Sequence, residues 1–150
     1  MANTYSNLFY HIVFSTKGRE GLIDRDIEER VWAYIGGIAL KHQVIAVQVG
    51  GIANHIHILI LAKPSIAPSQ IVQWLKGESS RWIHETFPNL GSFAWQDGYG
   101  IFSVSKSNVP GVIQYIKYQR EHHAKQSFED EYLAMLNVNE IDYDERYVFD

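Results

Sequence analysis

The sequence of 150 residues contains no cysteine, which excludes disulfide bonds, thiolate metal ligands and cysteine nucleophiles. It also lacks any apolar run near the roughly 18 residues that suggest a membrane span. Its N-terminus, which begins Met1-Ala2-Asn3, has no basic segment followed by an apolar one, so no signal peptide is predicted. These absences predict a soluble, cytoplasmic protein that has no membrane partner.

Charge is distributed unevenly along the chain. The formal net charge is −4, yet residues 128–150 hold eight acidic residues against one basic residue, Arg146. The preceding 127 residues carry twelve basic and nine acidic residues, a net charge of +3. This mildly basic body predicts a local phosphate-binding surface rather than a strong, sequence-independent grip on duplex DNA. We interpret the acidic end as a solvated segment of one domain, 1–150.

The periodicity of apolar residues predicts alternating strands and helices. A glycine pair, Gly50-Gly51, is expected to form the turn of a hairpin, and Gly36-Gly37 inside a helix suggests close packing there. The predicted elements are a strand over 8–15, a helix capped by Asp24 or Asp26 and reaching about Lys41, strands over 44–49 and 52–62, a helix capped by Ser69 and ending before Pro88, a strand over 101–105, a helix from about Val109 to Ser127 capped by Ser107 or Asn108, and a short helix near Phe128 to Leu136.

This order of elements predicts an α+β fold. It suits a ferredoxin-like antiparallel sheet of four to five strands with helices packed on one face, followed by a C-terminal helix that bears a tyrosine.

Two histidines stand at strand spacing in the most strand-like run of the chain. Because side chains alternate along a strand, His55 and His57 are expected to point to one face and Ile56 to the other. Two imidazoles can share a metal ion but fill only part of its coordination shell. The alternative is that one histidine is a core residue and the other a surface residue.

A phenol and an amide lie one turn apart on the late helix. Tyr115 and Gln119 are four residues apart and therefore share a helix face, whereas Tyr118 lies about 80° from Gln119 and is interpreted as a packing or surface residue. The neighbouring His122 and His123 are interpreted as solvated helix residues, with a reserve ligand or DNA contact as the alternative.

Taken together, these residues resemble a known family. His55-Ile56-His57 on a strand, followed by Tyr115-x-x-x-Gln119 on a late helix, resembles the single-tyrosine transposases of small insertion sequences, within the His-hydrophobic-His nuclease superfamily. The resemblance covers nearly the whole chain and also includes the segments 10–15, 76–80, 95–100 and 103–105.

The resemblance implies a transposase that nicks and rejoins single-stranded DNA at hairpin-bearing element ends. It implies that His55, His57 and Gln119 hold one divalent ion, Mg²⁺ or Mn²⁺, and that Tyr115 is the nucleophile that forms a covalent 5′-phosphotyrosine link. It further implies a homodimer with composite active sites. Ligand chemistry alone favours Mn²⁺ or Zn²⁺ over Mg²⁺, because imidazole is a softer ligand than Mg²⁺ prefers. The residues do not identify the base that deprotonates Tyr115.

Basic side chains are candidates for phosphate contacts, although solvated helix faces are a common explanation for such charges. The candidates for DNA binding are Lys76, Arg81, Lys106, Lys117 and Arg120.

Three other functions compete with this interpretation. A non-enzymatic single-stranded nucleic-acid-binding protein would stack bases on the aromatic residues of the first strand, namely Phe9, Tyr10 and Phe14. A domesticated relative would use the same chemistry on dispersed genomic repeats. A metal-dependent hydrolase would attack with water and leave Tyr115 a structural role.

Overall fold

A computed structural model describes residues 3–150. Met1 and Ala2, which belong to the N-terminal stretch for which no signal peptide is predicted, lie outside the described residues. Among the described residues no helix combines the length and the apolar composition needed to cross a membrane. The strands are β1 (Leu8–Ser15), β2 (Ile45–Ile52), β3 (His55–Ala62) and β4 (Gly100–Val104), and the helices are α1 (Arg25–Lys41), α2 (Pro68–Thr86), α3 (Val109–Lys117), α4 (Gln119–His123) and α5 (Phe128–Val138).

The four strands form one antiparallel sheet in the order β2-β3-β1-β4. The four strands and the first two helices follow each other as strand, helix, strand, strand, helix, strand. The sheet places β3, which carries the two histidines, in an inner position between β2 and β1. The predicted α+β class and ferredoxin-like sheet are therefore confirmed.

One face of the sheet is covered by α1 and α2. Alternate residues of the inner strands, including Ile12, Phe14, Ile56 and Ile58, point into this layer and are completely buried. Burial of each such side chain stabilises the fold by about 1.5–3 kcal/mol relative to exposure. This layer fixes the inner strands on which the opposite face is built.

The other face is covered by α3 and α5, so helices lie on both faces rather than on one. Phe9 and Leu59 pack against Val109 and Ile116 of α3. A second group on this face joins β1 and β4 to α5 and comprises Val13, Phe102, Phe128, Tyr132 and Leu136. The acidic C-terminal segment is therefore not simply solvated, because its apolar residues complete a core layer.

The hairpin between β2 and β3 forms as predicted, but its turn lies further along the chain. Gly50 and Gly51 belong to β2 and pair with His57 and Ile56, while the chain turns at 53–54. A Cβ atom at Gly50 would lie 2.7 Å from the carbonyl oxygen of Ile116. The glycine is therefore needed for the close approach of α3 to the sheet rather than for a turn.

Three helix predictions differ in detail from the structure. A Cβ atom at Gly36 or Gly37 would meet nothing within 4 Å, so the predicted close packing there is wrong. The second helix begins at Pro68, before the predicted cap Ser69, and no side chain caps it, since Ala67 occupies the N-cap position. Proline is well suited to the first helical position, because its missing N–H would have no partner there. The predicted single helix from Val109 to Ser127 is broken at Tyr118, whose φ of −104° and ψ of 31° separate α3 from α4.

Candidate active site

The two histidines of β3 lie on the sheet face beneath α3, α4 and α5. Both side chains have an exposed fraction of 0%. Their register partners on β1 are Ser15 for His55 and Val13 for His57, so both imidazoles share one face, as the strand spacing predicts. The imidazoles are thus held rigidly in an inner strand.

The two helices after β4 bring the predicted partners to this face. Gln119 is 1% exposed, and its Oε1 lies 2.9 Å from Nε2 of His55. Its own amide nitrogen donates a hydrogen bond to the carbonyl of Tyr115 at 3.3 Å, which fixes the orientation of the amide. The half-buried Tyr115 ring lies 5.7 Å from the His57 ring, centroid to centroid. Tyr118 is 51% exposed, which confirms its interpretation as a surface residue.

A buried carboxylate, Glu131 of α5, joins this cluster. Its Oε1 lies 3.0 Å from Nε2 of His57 and 3.5 Å from Nε2 of His55, and its exposed fraction is 2%. Its Oε2 accepts a hydrogen bond from the hydroxyl of Tyr115. Glu131, His55 and His57 form a group whose ligand atoms lie within 4.8 Å of one another.

Glu131 is not among the residues predicted for the site, because the acidic end of the chain has the composition of a solvated segment. A signal was present, since Glu131 follows Phe128 by three residues and precedes Tyr132, and these positions share the buried face of an amphipathic helix. A charged residue on an apolar stripe is rarely buried without a partner. That pattern could have predicted that Glu131 is buried and has a partner, although not which residues it meets.

The prediction for His123 is wrong, because it is not solvated. Its side chain is 5% exposed, and its Nε2 lies 3.0 Å from Oε1 of Gln119 and 3.2 Å from Oε1 of Glu131. His122 is exposed as predicted, and its ring lies 4.7 Å from that of Tyr115.

The donor atoms of this cluster fit a divalent cation. Nδ1 of His55 donates to the side-chain oxygen of Asn54 at 2.9 Å, so a neutral ring has its lone pair on Nε2, facing Oε1 of Gln119. Burial, together with the charge of His57, lowers the pKa of His55 to about 3, so the ring is neutral at physiological pH. The lone pair on Nε2 of His55, Oε1 of Gln119 and the nearby carboxylate of Glu131 therefore face one another. A cation bound between them would interact favourably with all three.

Another buried imidazole, that of His11, lies behind His57. Its Nε2 lies 2.8 Å from Nδ1 of His57, on the side away from Glu131. Burial, and then the charge of His57, lower the pKa of His11 to about 3. A neutral His11 can accept a hydrogen bond from Nδ1–H of His57, which directs Nε2 of His57 toward Oε1 of Glu131. A metal ion bound there would replace the hydrogen bond between Nε2 of His57 and Glu131.

The charges within the cluster are strongly coupled. Burial alone would raise the pKa of Glu131, but the hydrogen bonds with His123 and His57 hold it well below its usual range. Burial, and then the hydrogen bond to Glu131, raise the pKa of the Tyr115 phenol. In His123 burial opposes the charged form, yet the hydrogen bond with Glu131 raises its pKa above the ordinary value. The resting site therefore pairs an ionised carboxylate with a protonated phenol.

The predicted phosphate-binding side chains differ in how far they are engaged within the chain. Nζ of Lys76 donates to the carbonyls of Asp97 and Gly98 at 3.0 and 2.9 Å. Arg81 pairs with Glu85, and Arg120 binds both carboxylate oxygens of Glu28 at 2.9 Å. The amine of Lys106 lies 5.4 Å from the centre of the Phe9 ring, and Lys117 is exposed. DNA contact by these residues stays a prediction.

The competing stacking function requires exposed aromatic residues on the sheet. Phe9 is 6% exposed and Phe14 is 0% exposed, while Tyr10 packs against the main core. Helices cover both faces of the sheet, so bases cannot stack on it as on an open RNA-recognition sheet. The structure therefore contradicts base stacking on Phe9, Tyr10 and Phe14.

Comparison with known proteins identifies the family. Residues 4–119 match the family described as IS200-like transposases. The chain is 30% identical over 126 residues to the transposase for insertion sequence element IS200 of Salmonella typhimurium, covering 81% of this chain and 82% of that protein. It is 25% identical over 119 residues to the ISDra2 transposase TnpA of Deinococcus radiodurans, covering 76% of this chain and 85% of that protein. The chain belongs to the IS200-like transposase family.

Solved structures share the fold. A crystal structure of a transposase from Deinococcus radiodurans superposes with a TM-score of 0.66 at 25% identity, covering 79% of this chain and 95% of that one. The REP-associated tyrosine transposase, bound in its structure to a REP hairpin, has a TM-score of 0.60 at 11% identity, covering 82% of this chain and 73% of that one. At that identity the second similarity concerns the fold.

Proposed function

We propose that this transposase nicks and rejoins single-stranded DNA at hairpin-bearing element ends through a covalent 5′-phosphotyrosine formed by Tyr115. The observation that carries the proposal is the convergence of the Tyr115 hydroxyl, through Glu131, on the buried imidazoles of His55 and His57. A nucleophile beside a set of metal-ligating atoms is an arrangement suited to metal-assisted phosphoryl transfer.

His55, His57 and Gln119 would hold one divalent ion, Mg²⁺ or Mn²⁺, and Glu131 extends this ligand set. A bound ion would act as a Lewis acid that withdraws charge from a phosphate oxygen and orients the phosphate. Each β3 histidine is oriented by a hydrogen bond at its Nδ1, with Asn54 in the case of His55 and with His11 in the case of His57. These bonds direct the Nε2 atoms toward the place where the ion would bind.

The chemistry divides strand transfer into two balanced steps. The Tyr115 oxygen forms a bond to the scissile phosphorus while the bond from that phosphorus to the 3′ oxygen breaks. The phenol passes its proton to an acceptor, and the leaving 3′ oxygen takes up a proton and becomes a free 3′-OH. The nearest side-chain acceptor to that proton is the carboxylate of Glu131. In the second step a 3′-OH attacks the phosphotyrosine and releases the phenol. Because each bond broken is replaced by a similar bond, rejoining needs no ATP.

The proposed substrate is a folded single strand rather than a duplex. A mildly basic body with an acidic end supplies only a local attraction for phosphates, so shape and unpaired bases would contribute to recognition. The fold is shared with a transposase whose structure contains a REP hairpin. Among the predicted basic residues, Arg81 and Arg120 pair with carboxylates and Lys76 donates to backbone carbonyls. Lys106 and Lys117 are exposed and form no salt bridge within the described chain, so they are the strongest candidates for phosphate contacts.

The proposed assembly is a homodimer with composite active sites. The family resemblance supports it, and the contacts of Tyr115 with Glu131 lie within one chain. Exchange of the tyrosine would therefore require α3 and α4 to replace these contacts with equivalent ones in the partner.

Trapping of a covalent adduct tests the proposed function. A 5′-labelled and a 3′-labelled hairpin oligonucleotide with single-stranded flanks would be incubated with protein and Mn²⁺, and then denatured. We expect the label on the 3′ side of the nick to migrate with the protein and the other product to carry a free 3′-OH. Nicks without an adduct would favour the hydrolase, and equal cleavage of perfect duplex would contradict the proposed substrate.

A further inference from the structure

We propose that His123 is a third imidazole ligand of the divalent ion, which makes the centre a three-histidine site completed by Gln119 and Glu131. The inference deepens the proposed function and shares with it only the premise that an ion binds beside His55. It concerns a residue that follows the tyrosine and glutamine in sequence and that the sequence pattern assigns to solvent.

The position of His123 follows from the break in the late helix. At Tyr118 the chain leaves α3, and the short α4 then places Gln119 and His123 four residues apart on one face. After His123 the chain turns, and Ser127 caps α5 by accepting a hydrogen bond from the backbone N–H of Asp130 at 3.1 Å. The ring of His123 is thereby enclosed between α4, α5 and the ring of His55, whose centroid lies 4.4 Å away.

The tautomer of His123 is fixed by a backbone carbonyl. Nδ1 lies 2.7 Å from the carbonyl oxygen of Gln126, and because a carbonyl oxygen only accepts, Nδ1 must carry a hydrogen. A neutral ring then has its lone pair on Nε2, which faces Oε1 of Gln119 at 3.0 Å and Oε1 of Glu131 at 3.2 Å. Three lone-pair atoms facing one another require a cation between them.

A proton on Nε2 can supply that cation while no metal is bound, and the charge of Glu131 favours it. His123 would then only position the two oxygens through hydrogen bonds. The same arrangement, an imidazole with Nδ1–H held by a carbonyl and Nε2 directed at oxygen ligands, is also that of metal-binding histidines in general. The oxygens that Nε2 faces, those of Gln119 and Glu131, also lie beside Nε2 of His55, at 2.9 and 3.5 Å. An ion bound by Oε1 of Gln119 and Oε1 of Glu131 would therefore lie next to Nε2 of both His55 and His123.

A third imidazole changes which ions the site prefers. Imidazole suits Mn²⁺, Co²⁺ and Zn²⁺ better than Mg²⁺, which prefers oxygen ligands and water. A site with three imidazoles, one amide oxygen and one carboxylate is thus expected to bind Mn²⁺ in the presence of excess Mg²⁺.

Counting the imidazole nitrogens around bound Mn²⁺ tests the proposal on the unmodified protein. Pulsed EPR detects the hyperfine coupling of each coordinated nitrogen, and ¹⁵N-labelled histidine identifies those of the protein. We expect three coordinated imidazoles. Two coordinated imidazoles, or no binding of Mn²⁺, would overturn the inference.

Variants separate ligation from positioning. His123→Ala should lower Mn²⁺ affinity at least about 10-fold and reduce the count to two, and free imidazole should restore both. The matched control is His122→Ala, which removes the neighbouring exposed ring and should leave Mn²⁺ affinity unchanged. A His123→Ala protein that retains three coordinated imidazoles, or that binds Mn²⁺ as tightly as the His122→Ala protein, would refute the assignment.

The result is distinguishable from the outcome for the proposed function. Three imidazoles in a protein that forms no DNA adduct would leave the ligand assignment standing and reject the transfer chemistry. Adduct formation by a protein whose Mn²⁺ is bound by only two imidazoles would support the transfer chemistry and reject His123 as a ligand.

Discussion

The hydroxyl of Tyr115 donates a hydrogen bond to Oε2 of Glu131, while Oε1 of the same carboxylate lies 3.0 Å from Nε2 of His57. One side chain thus connects the proposed nucleophile to the proposed metal ligands. The two residues lie on different helices, α3 and α5, so their contact depends on the packing of both helices on the sheet. A change at Glu131 is therefore expected to affect both the nucleophile and the metal ligands.

Replacement of Tyr115 by phenylalanine should abolish nicking and adduct formation while preserving DNA binding. The substitution removes the hydroxyl oxygen proposed to bond to phosphorus and keeps the ring that packs beside His57. Nicking of a labelled hairpin oligonucleotide and a gel-shift measurement would check both parts. The matched control is Tyr118→Phe, which alters an exposed residue of the same segment and should keep both activities. An active Tyr115→Phe protein would overturn the assignment of the nucleophile.

Replacement of Glu131 by glutamine should weaken Mn²⁺ binding by at least about 10–100-fold, the range typical of residues that support metal ligands. The change removes the only carboxylate that contacts the β3 imidazoles in the described chain. Isothermal titration with Mn²⁺ would measure the loss. Asp130→Asn, at the neighbouring exposed position, is the control for the lost charge. Unchanged Mn²⁺ affinity in Glu131→Gln would remove Glu131 from the ligand set.

The metal-free protein should lose stability progressively as pH falls from about 6.5 toward 3. His11 and His55 have their pKa values lowered to about 3 in the folded state, compared with 6.5 in the unfolded chain. In this window the unfolded chain binds more protons, so the free energy of unfolding rises with pH and falls on acidification. Glu131, whose pKa is lowered by folding, adds to the loss below about its ordinary value of 4.5.

Urea denaturation at several pH values, with a chelator present, would measure this dependence. His11→Asn removes one of the buried imidazoles and should reduce the slope by up to about 1.4 kcal/mol per pH unit. If this slope is unchanged in His11→Asn, folding does not lower the pKa of His11, and the prediction is wrong.

Alanine substitutions at two glycines should have opposite effects on stability. Gly50→Ala should destabilise the protein by about 1–3 kcal/mol, because its Cβ would lie 2.7 Å from the carbonyl oxygen of Ile116 and force α3 away from the sheet. Gly37→Ala should stabilise it by about 0.5–1 kcal/mol, because the helix gains an alanine and nothing lies within 4 Å of the new Cβ. Thermal unfolding would measure both. Destabilisation by Gly37→Ala would reveal a contact at that face of α1.

Mixing two inactive variants should restore nicking if the tyrosine is exchanged between subunits, as the proposed dimer requires. A heterodimer of Tyr115→Phe and His57→Ala would then contain one site with an intact tyrosine and intact histidines. Light scattering would first establish that dimers form, and nicking would be measured after co-refolding. Dimers that stay inactive in the mixture would show that each chain uses its own tyrosine.

The local sequence determined much of the scaffold. The alternation of Ile56, His57 and Ile58 fixed which side chains share a face of β3, because a strand can only place successive residues on opposite sides. The four-residue spacing of Tyr115 and Gln119 likewise predicted their proximity, although a break at Tyr118 lies between them. These predictions succeeded because they depend on backbone geometry within one element.

Only the tertiary structure decided the membership of the site. Glu131 and His123 looked like solvated residues of a charged segment, and packing of α4 and α5 on the sheet buried both beside His55. The turn of the hairpin likewise lies after Gly50, not at it. This glycine allows the close approach of α3 to the sheet, a long-range contact that the local sequence does not show. Sequence patterns report what each residue favours within its own element, whereas burial and long-range contacts depend on which elements meet. The sequence therefore determined the strand with its paired imidazoles and the helix with its phenol, and only the packing of distant segments decided which charges complete their site.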